Sequence, residues 1–217
     1  MRSLAALALV ALALSASGSL AGASPSPAPT SASATAAASP VRGRELSAGQ
    51  AQQLVSARVV SAMDALRRRD AAGLSAIAHP TKGIRFTPYP FVSTAKDVVL
   101  TRAQLTNAYT DTTKRTWGVT DGKGDPITLT FSDYSARYVW SRDFLAAAKT
   151  SYNKAIGTGN SIDNTADVYP NAILFEAYDP GPVPAEESFR WQSLRLIFEQ
   201  DGGAWYLVGI VHAEWTI

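Results

Sequence analysis

The segment Trp205-Tyr206-Leu207-Val208-Gly209-Ile210-Val211-His212 is apolar at both parities. Trp205, Leu207 and Val211 fall on one side and Tyr206, Val208 and Ile210 on the other. A strand of that kind must be covered on both faces. Helices can supply one cover; the other has to be a loop layer or a second subunit. The strand's partner is close in sequence. Arg190–Glu199 and Trp205–His212 flank Gln200-Asp201-Gly202-Gly203-Ala204, which predicts a long hairpin. In its first arm Leu194, Leu196 and Phe198 share one face, and Ser193, Arg195, Ile197 and Glu199 the other. Left uncovered, Ile197, Tyr206, Val208 and Ile210 would form an apolar patch, and on that ground a homodimer through this face is expected.

The helices come earlier in the chain. Ser47-Ala48-Gly49-Gln50 reads as a capping box, and Val55, Val59, Met63 and Leu66 follow at helical spacing, which predicts a helix over 48–69. Asp70 then caps a short helix bearing Leu74 and Ile77, and Pro80 stops it. Thr101 and Gln104 repeat the capping-box pattern for a helix with Leu105 and Tyr109. Residues 115–120 and 127–131 predict a second hairpin around a Gly-rich turn. Ser132 and Ser141 are candidate caps for two short helices, Gly157–Asn164 is a polar loop, and Ala172–Tyr178 is a strand. Helices first and strands last is an α+β plan. A long N-terminal helix and short helices pack on a curved, mostly antiparallel, cone-like sheet.

The first residues read as an address. Met1-Arg2 precedes an uncharged apolar run from Leu4 to Leu14, and Ala21-Gly22-Ala23 fits a signal-peptidase site. Residues 1–23 are therefore expected to be a signal peptide, too short in its apolar part for a membrane anchor. Residues 24–44, almost wholly Ser, Ala, Pro and Thr up to Pro40, are a flexible linker. Residues 45–217 are a single α+β domain. The expected location is secreted or periplasmic. With no cysteine there is no disulfide, Cys-ligated metal or Cys nucleophile, and a net charge of +2 gives no footprint for nucleic acid.

Several strings together resemble a known group. Phe86-Thr87-Pro88-Tyr89, Trp117-Gly118-Val119-Thr120-Asp121-Gly122, Asp143-Phe144 and Tyr152-Asn153 are followed by Trp191-Gln192-Ser193-Leu194-Arg195-Leu196 and by Trp205 to Ile217. The stretch from His79 to Ile217 resembles a family of uncharacterised secreted bacterial proteins that end in a strand of this type. That resemblance implies no catalytic residues. Its members often carry an acidic residue directly after the histidine, where this chain has Ala213. More loosely, the order of elements is similar to the nuclear transport factor 2-like, cystatin-like cone superfold, in which a long helix closes over a curved sheet and leaves a pocket. The superfold hosts both enzymes and binding modules.

Candidate site residues follow from that plan. Arg85 and Tyr89 lie on an irregular Gly/Pro segment, Tyr109 near the end of a helix, Trp117 at the start of a strand and Trp191 at the start of the long hairpin. Together they are expected to line a ligand-binding cavity between the long helix and the sheet. There Arg85 would hold an anionic or hydroxyl-rich group and the rings would stack on a small molecule or glycan. His212 is the candidate general base, beside Glu214. Two histidines and no cysteine predict no transition-metal site, and the motifs of common cofactors are absent, so no cofactor is expected. Two function classes stay open. One is a non-catalytic small-ligand-binding or interaction module. The other is a small-molecule enzyme, an isomerase or hydrolase, using His212 or a buried carboxylate.

Overall fold

The computed structural model describes residues 41–182 and 189–216. The signal peptide and nearly all of the linker expected from the sequence lie outside them. The capping box forms as read: Ser47 Oγ accepts from the Gln50 amide, and Gln50 Oε1 accepts from the Ser47 amide. It opens α1 (Ala48–Arg68), whose buried stripe includes Ala51, Val55, Val59, Met63 and Leu66. Asp70 accepts from the Gly73 amide and starts α2 (Ala71–Ile77). The next box, Thr101 with Gln104, opens only the four-residue α3 (Arg102–Leu105), and Tyr109 falls in the turns beyond it.

Six strands form the main sheet. They are β1 (Ile84–Thr87), β2 (Val98–Leu100), β5 (Lys149–Tyr152), β6 (Ile173–Asp179), β7 (Gln192–Asp201) and β8 (Ala204–Glu214), in the order β2-β1-β8-β7-β6-β5. Every pairing is antiparallel except β1 with β8. A separate two-stranded hairpin joins β3 (Arg115–Val119) to β4 (Pro126–Leu129). Two short helices remain, α4 (Phe131–Tyr134), continued by a π-helical turn over Ser135–Val139, and α5 (Thr165–Val168). Thr130 and Asp143, not Ser132 and Ser141, cap the turns near 131 and 144. Thr130 wins because its hydroxyl also donates to Asp133, three residues on, at 2.8 Å.

The β7–β8 hairpin turns on two residues, Gly202 and Gly203, with φ of 56° and 83°. Two consecutive positive φ values make the primed turn whose twist matches that of the strands. Farther along, the register steps from Phe198 opposite Leu207 to Ile197 opposite Gly209. Val208 is the extra residue of a bulge, and the bulge changes which residues share a face. Trp205, Leu207 and Ile210 join the core under α1, while Val208 and Val211 join a second cluster with Ile197 and Leu174. Strict alternation therefore misplaces Val211 and Ile210.

The second cluster is covered within the chain. Val92, from the segment after β1, and Tyr169 and Ala172, from the segment after α5, lie over it. Ile197, Val208 and Ile210 are all buried. Of the four residues on which a homodimer was expected, only Tyr206 is partly exposed. The architecture is α+β, with a long helix on one face of a curved, mostly antiparallel sheet and a loop layer on the other.

Candidate functional site

The space expected between α1 and the sheet is filled by side chains. Trp117 is fully buried, donates its indole N–H to Leu129 O at 2.9 Å, and stacks on Tyr134 at 4.2 Å. Tyr109 packs edge-on against Phe131, and its hydroxyl lies 3.3 Å from that of Ser135. Trp117 is core, and Tyr109 is half-buried against it. Trp191 is buried on the other side of the sheet, against Tyr178 and under the 157–159 loop, where a Cβ on Gly157 would come within 2.5 Å of the indole. Arg85 also sits on that far side, its Nη1 donating to the carbonyls of Ser93, Thr94 and Asp97. The five residues do not converge. Of the five only Tyr89 borders a cleft at the ends of the strands, while Arg85 lines a separate groove on the far face of the sheet.

That cleft, about 540 Å³, is built by three segments. The first, between β1 and β2, contributes Tyr89, Phe91, Lys96 and Asp97. The second, at the tip of β3, contributes Gly118 to Asp121. The third, 160–162, contributes Ile162. Each is tied down. Asn164 pairs both polar atoms of its side chain with the Val92 backbone, at 2.7 and 3.0 Å. Asp97 Oδ2 accepts from the Thr87 hydroxyl (2.7 Å) and the Ser93 amide (2.9 Å). Ser161 bonds Asp121 and Thr216. Gly118, at φ 143°, lets β3 approach Pro88, whose Cγ a Cβ would meet at 3.0 Å. Around these fixed loops stand three exposed apolar side chains, Phe91 at 53%, Val119 at 52% and Ile162 at 73%.

Burial raises the Asp97 carboxyl above its ordinary value, against the pull of Thr87, Ser93 and Arg85. Behind Tyr89 the rings of Tyr138, Tyr134 and Trp117 follow in turn, at 6.0, 5.2 and 4.2 Å. Burial, with Tyr89 adding to it, pushes the Tyr138 hydroxyl up to about 12. Beyond Tyr138 lies His212, edge-on at 5.9 Å. Its Nε2 is 3.3 Å from Glu214 Oε2, but the pair is not aligned as a hydrogen bond, and neither ring nitrogen has a hydrogen-bond partner among the described residues. Glu214 is held instead by both Arg137 nitrogens (2.7 and 3.2 Å) and by Gln192 (2.9 Å). The carboxylate near the histidine is thus two residues along the strand, on the same face, where position 213 could not reach. His212 is fully buried and burial keeps it neutral. It is sealed beneath Tyr138 and does not stand at a pocket mouth.

Sequence reasoning missed the cleft's own residues, Phe91, Lys96, Asp97, Val119 and Ile162. One signal was present: an isolated isoleucine in an otherwise polar loop. It also missed what holds that loop. Arg195 donates to Asp163 Oδ2 (2.7 Å), Gly157 O (2.7 Å) and Glu176 Oε2 (3.2 Å), and Glu176 accepts from the amides of Ile156 and Gly157. No group of three His, Asp or Glu among the described residues could hold a metal ion, and no helix among them is long and apolar enough to cross a membrane.

The sequence matches no protein-family model and no curated protein sequence. A solved structure of a designed nuclear transport factor 2-like protein aligns with 73% of this chain and 97% of its own, with a TM-score of 0.29 and 11% identity. A likeness that slight carries no argument about function.

Proposed function

We propose that the protein is a non-catalytic small-ligand-binding or interaction module whose ligand seats in the three-loop cleft. The observation that carries this reading is the combination of three exposed apolar side chains with loops fixed by polar contacts. Phe91, Val119 and Ile162 are left to solvent on segments that are already ordered. Covering one such side chain contributes about 1.5–3 kcal/mol, and little ordering entropy opposes it when the loops are preorganised. The polar rim includes the Lys96 amine, the Ser93 hydroxyl, the Asn160 amide nitrogen and Asp97 Oδ1, none of which is spent in a hydrogen bond among the described residues. Aromatic faces beside unspent donors and acceptors suit a glycan or another hydroxyl-rich small molecule.

A panel of glycans and small metabolites, screened by protein-observed NMR, tests the reading. A ligand is expected to move the resonances of 89–97, 118–121 and 160–162. The double variant Phe91→Ser with Ile162→Ser is expected to abolish that binding while changing stability by no more than about 0.5 kcal/mol per site, as for exposed positions generally. Full binding by the double variant would refute it.

Asp97 favours a second reading, a small-molecule enzyme with this carboxylate as general base, because its raised affinity for protons comes with a place on the cleft wall. Turnover lost in Asp97→Asn with ligand binding retained would select it. The export reading rests on the sequence of residues 1–23. Protein recovered from the periplasm or medium is expected to have an intact mass lacking those residues, and a species retaining Met1 would oppose it.

A further inference from the structure

A second groove, about 360 Å³, lies over the sheet face away from α1. Arg85 and Tyr169 stand on its polar side and Val99, Val168 and Val208 on its apolar side. Arg85 is half-buried, and no carboxylate lies within ion-pair distance of it among the described residues. A guanidinium so placed is normally paired, because withdrawing it from water is costly. Here its Nη1 is shared among three carbonyls at 3.3–3.4 Å, contacts that hold the group in position without neutralising it.

The Tyr169 hydroxyl lies beside that guanidinium. Burial pushes it up to about 12, against the pull of Arg85, so it keeps its proton and can donate. Opposite Arg85 across the β1–β8 ladder is Gly209, where a Cβ would stand 3.2 Å from the Tyr169 oxygen. A side chain at 209 would crowd the hydroxyl away from the arginine. The remaining charges in the groove, Lys82 and Glu199, are paired with each other. The nearest carboxylate to Arg85, that of Asp97, is beyond ion-pair distance and is taken up by Thr87 and Ser93, so it only partly offsets the guanidinium; the Glu199 carboxylate disfavours a multiply charged anion.

We propose that this groove binds a small organic monocarboxylate, with its carboxylate on Arg85 and the Tyr169 hydroxyl and its aliphatic body against Val99, Val168 and Val208. The site is separate from the cleft, and neither reading depends on the other.

Hexanoate is the probe, with hexanamide and inorganic phosphate as controls, in protein-observed NMR titrations of the folded protein near neutral pH. Hexanoate is expected to give saturable shifts at 84–87, 168–169 and 207–211. Hexanamide, which keeps the chain and loses the charge, is expected to bind at least about tenfold more weakly, and phosphate to leave those resonances unmoved. Replacing Arg85 would also release the 93–97 carbonyls, so the decisive variant is Val99→Glu. Val99 is directly across the β1–β2 ladder from Arg85 and partly exposed. A carboxylate there would occupy the guanidinium and is expected to abolish hexanoate binding with the spectrum otherwise native. The proposal is overturned if hexanoate gives no saturable shifts, if the amide binds as well as the acid, if the shifts map to the cleft, or if Val99→Glu binds normally.

Discussion

Arg195 and Glu176 are both sealed from solvent, and the pair pins a loop that carries part of the cleft but contains neither of them. Glu176 keeps two backbone donors if Arg195 is removed, yet it would remain a buried carboxylate without its cation. Arg195→Met is therefore expected to lower stability by about 3 kcal/mol, measured by urea denaturation, with faster amide exchange across 156–165 than elsewhere. A change below about 0.5 kcal/mol would show the network to be dispensable. None of this was legible beforehand. On a strand whose other positions alternate, an arginine between Leu194 and Leu196 reads as solvent-facing. Its acceptors lie 19, 32 and 38 positions away, with no motif linking them. The aromatic candidates failed for a related reason. Composition shows that Trp117 and Trp191 are large and rigid, but their surroundings are set by tertiary packing: α4 and β1 bury the first and the 157–159 loop the second.

Caps show the opposite behaviour, because their partners lie three residues apart. Ser47 with Gln50, Asp70 with Gly73 and Thr101 with Gln104 all form as the sequence predicts. Two caps were misassigned, Asp143 standing in for Ser141 and Thr130 for Ser132; the second, a choice between neighbouring hydroxyls, is open to measurement. Thr130→Ala is expected to cost about 1 kcal/mol, while Ser132→Ala, just inside α4, should fall within about 0.5 kcal/mol of wild type. Equal losses at the two positions would contradict the assignment. Strand faces were legible only as far as alternation held. In β7 both faces came out as read; in β8 they did so up to Val208. A bulge depends on the partner strand's register, which no local pattern in 205–212 records.

Across the whole molecule, the chain's two histidines behave alike under acid. His79 is held below its usual value by burial and by Lys82, and its Nδ1 accepts from the amides of Thr81 and Lys82, so a proton there would break both bonds. His212 is lowered by burial. For each, the unfolded chain takes up a proton near pH 6.5 that the folded chain resists, so stability falls as pH drops below that value. Farther down, Glu214, which burial alone would raise, is carried to about 2 where the Arg137 guanidinium holds its carboxylate; its contribution is lost as pH falls from about 4.5 toward 2. Melting temperature is therefore expected to decline between pH 7 and 5, and to decline less in His79→Asn, whose Oδ1 can replace Nδ1 as acceptor without titrating. Identical slopes for the two proteins would exclude His79 as a contributor. The strand order bears on timing as well as stability. β8 follows every other described element in the chain, yet it lies inside the sheet, with β1 on one side and β7 on the other. Until it emerges, β1 and β2 have no strand linking them to β5–β7, and α1 lacks Trp205, Leu207 and Ile210 beneath it. A nascent chain of this design keeps the middle of its sheet open until residues 204–214 have been made.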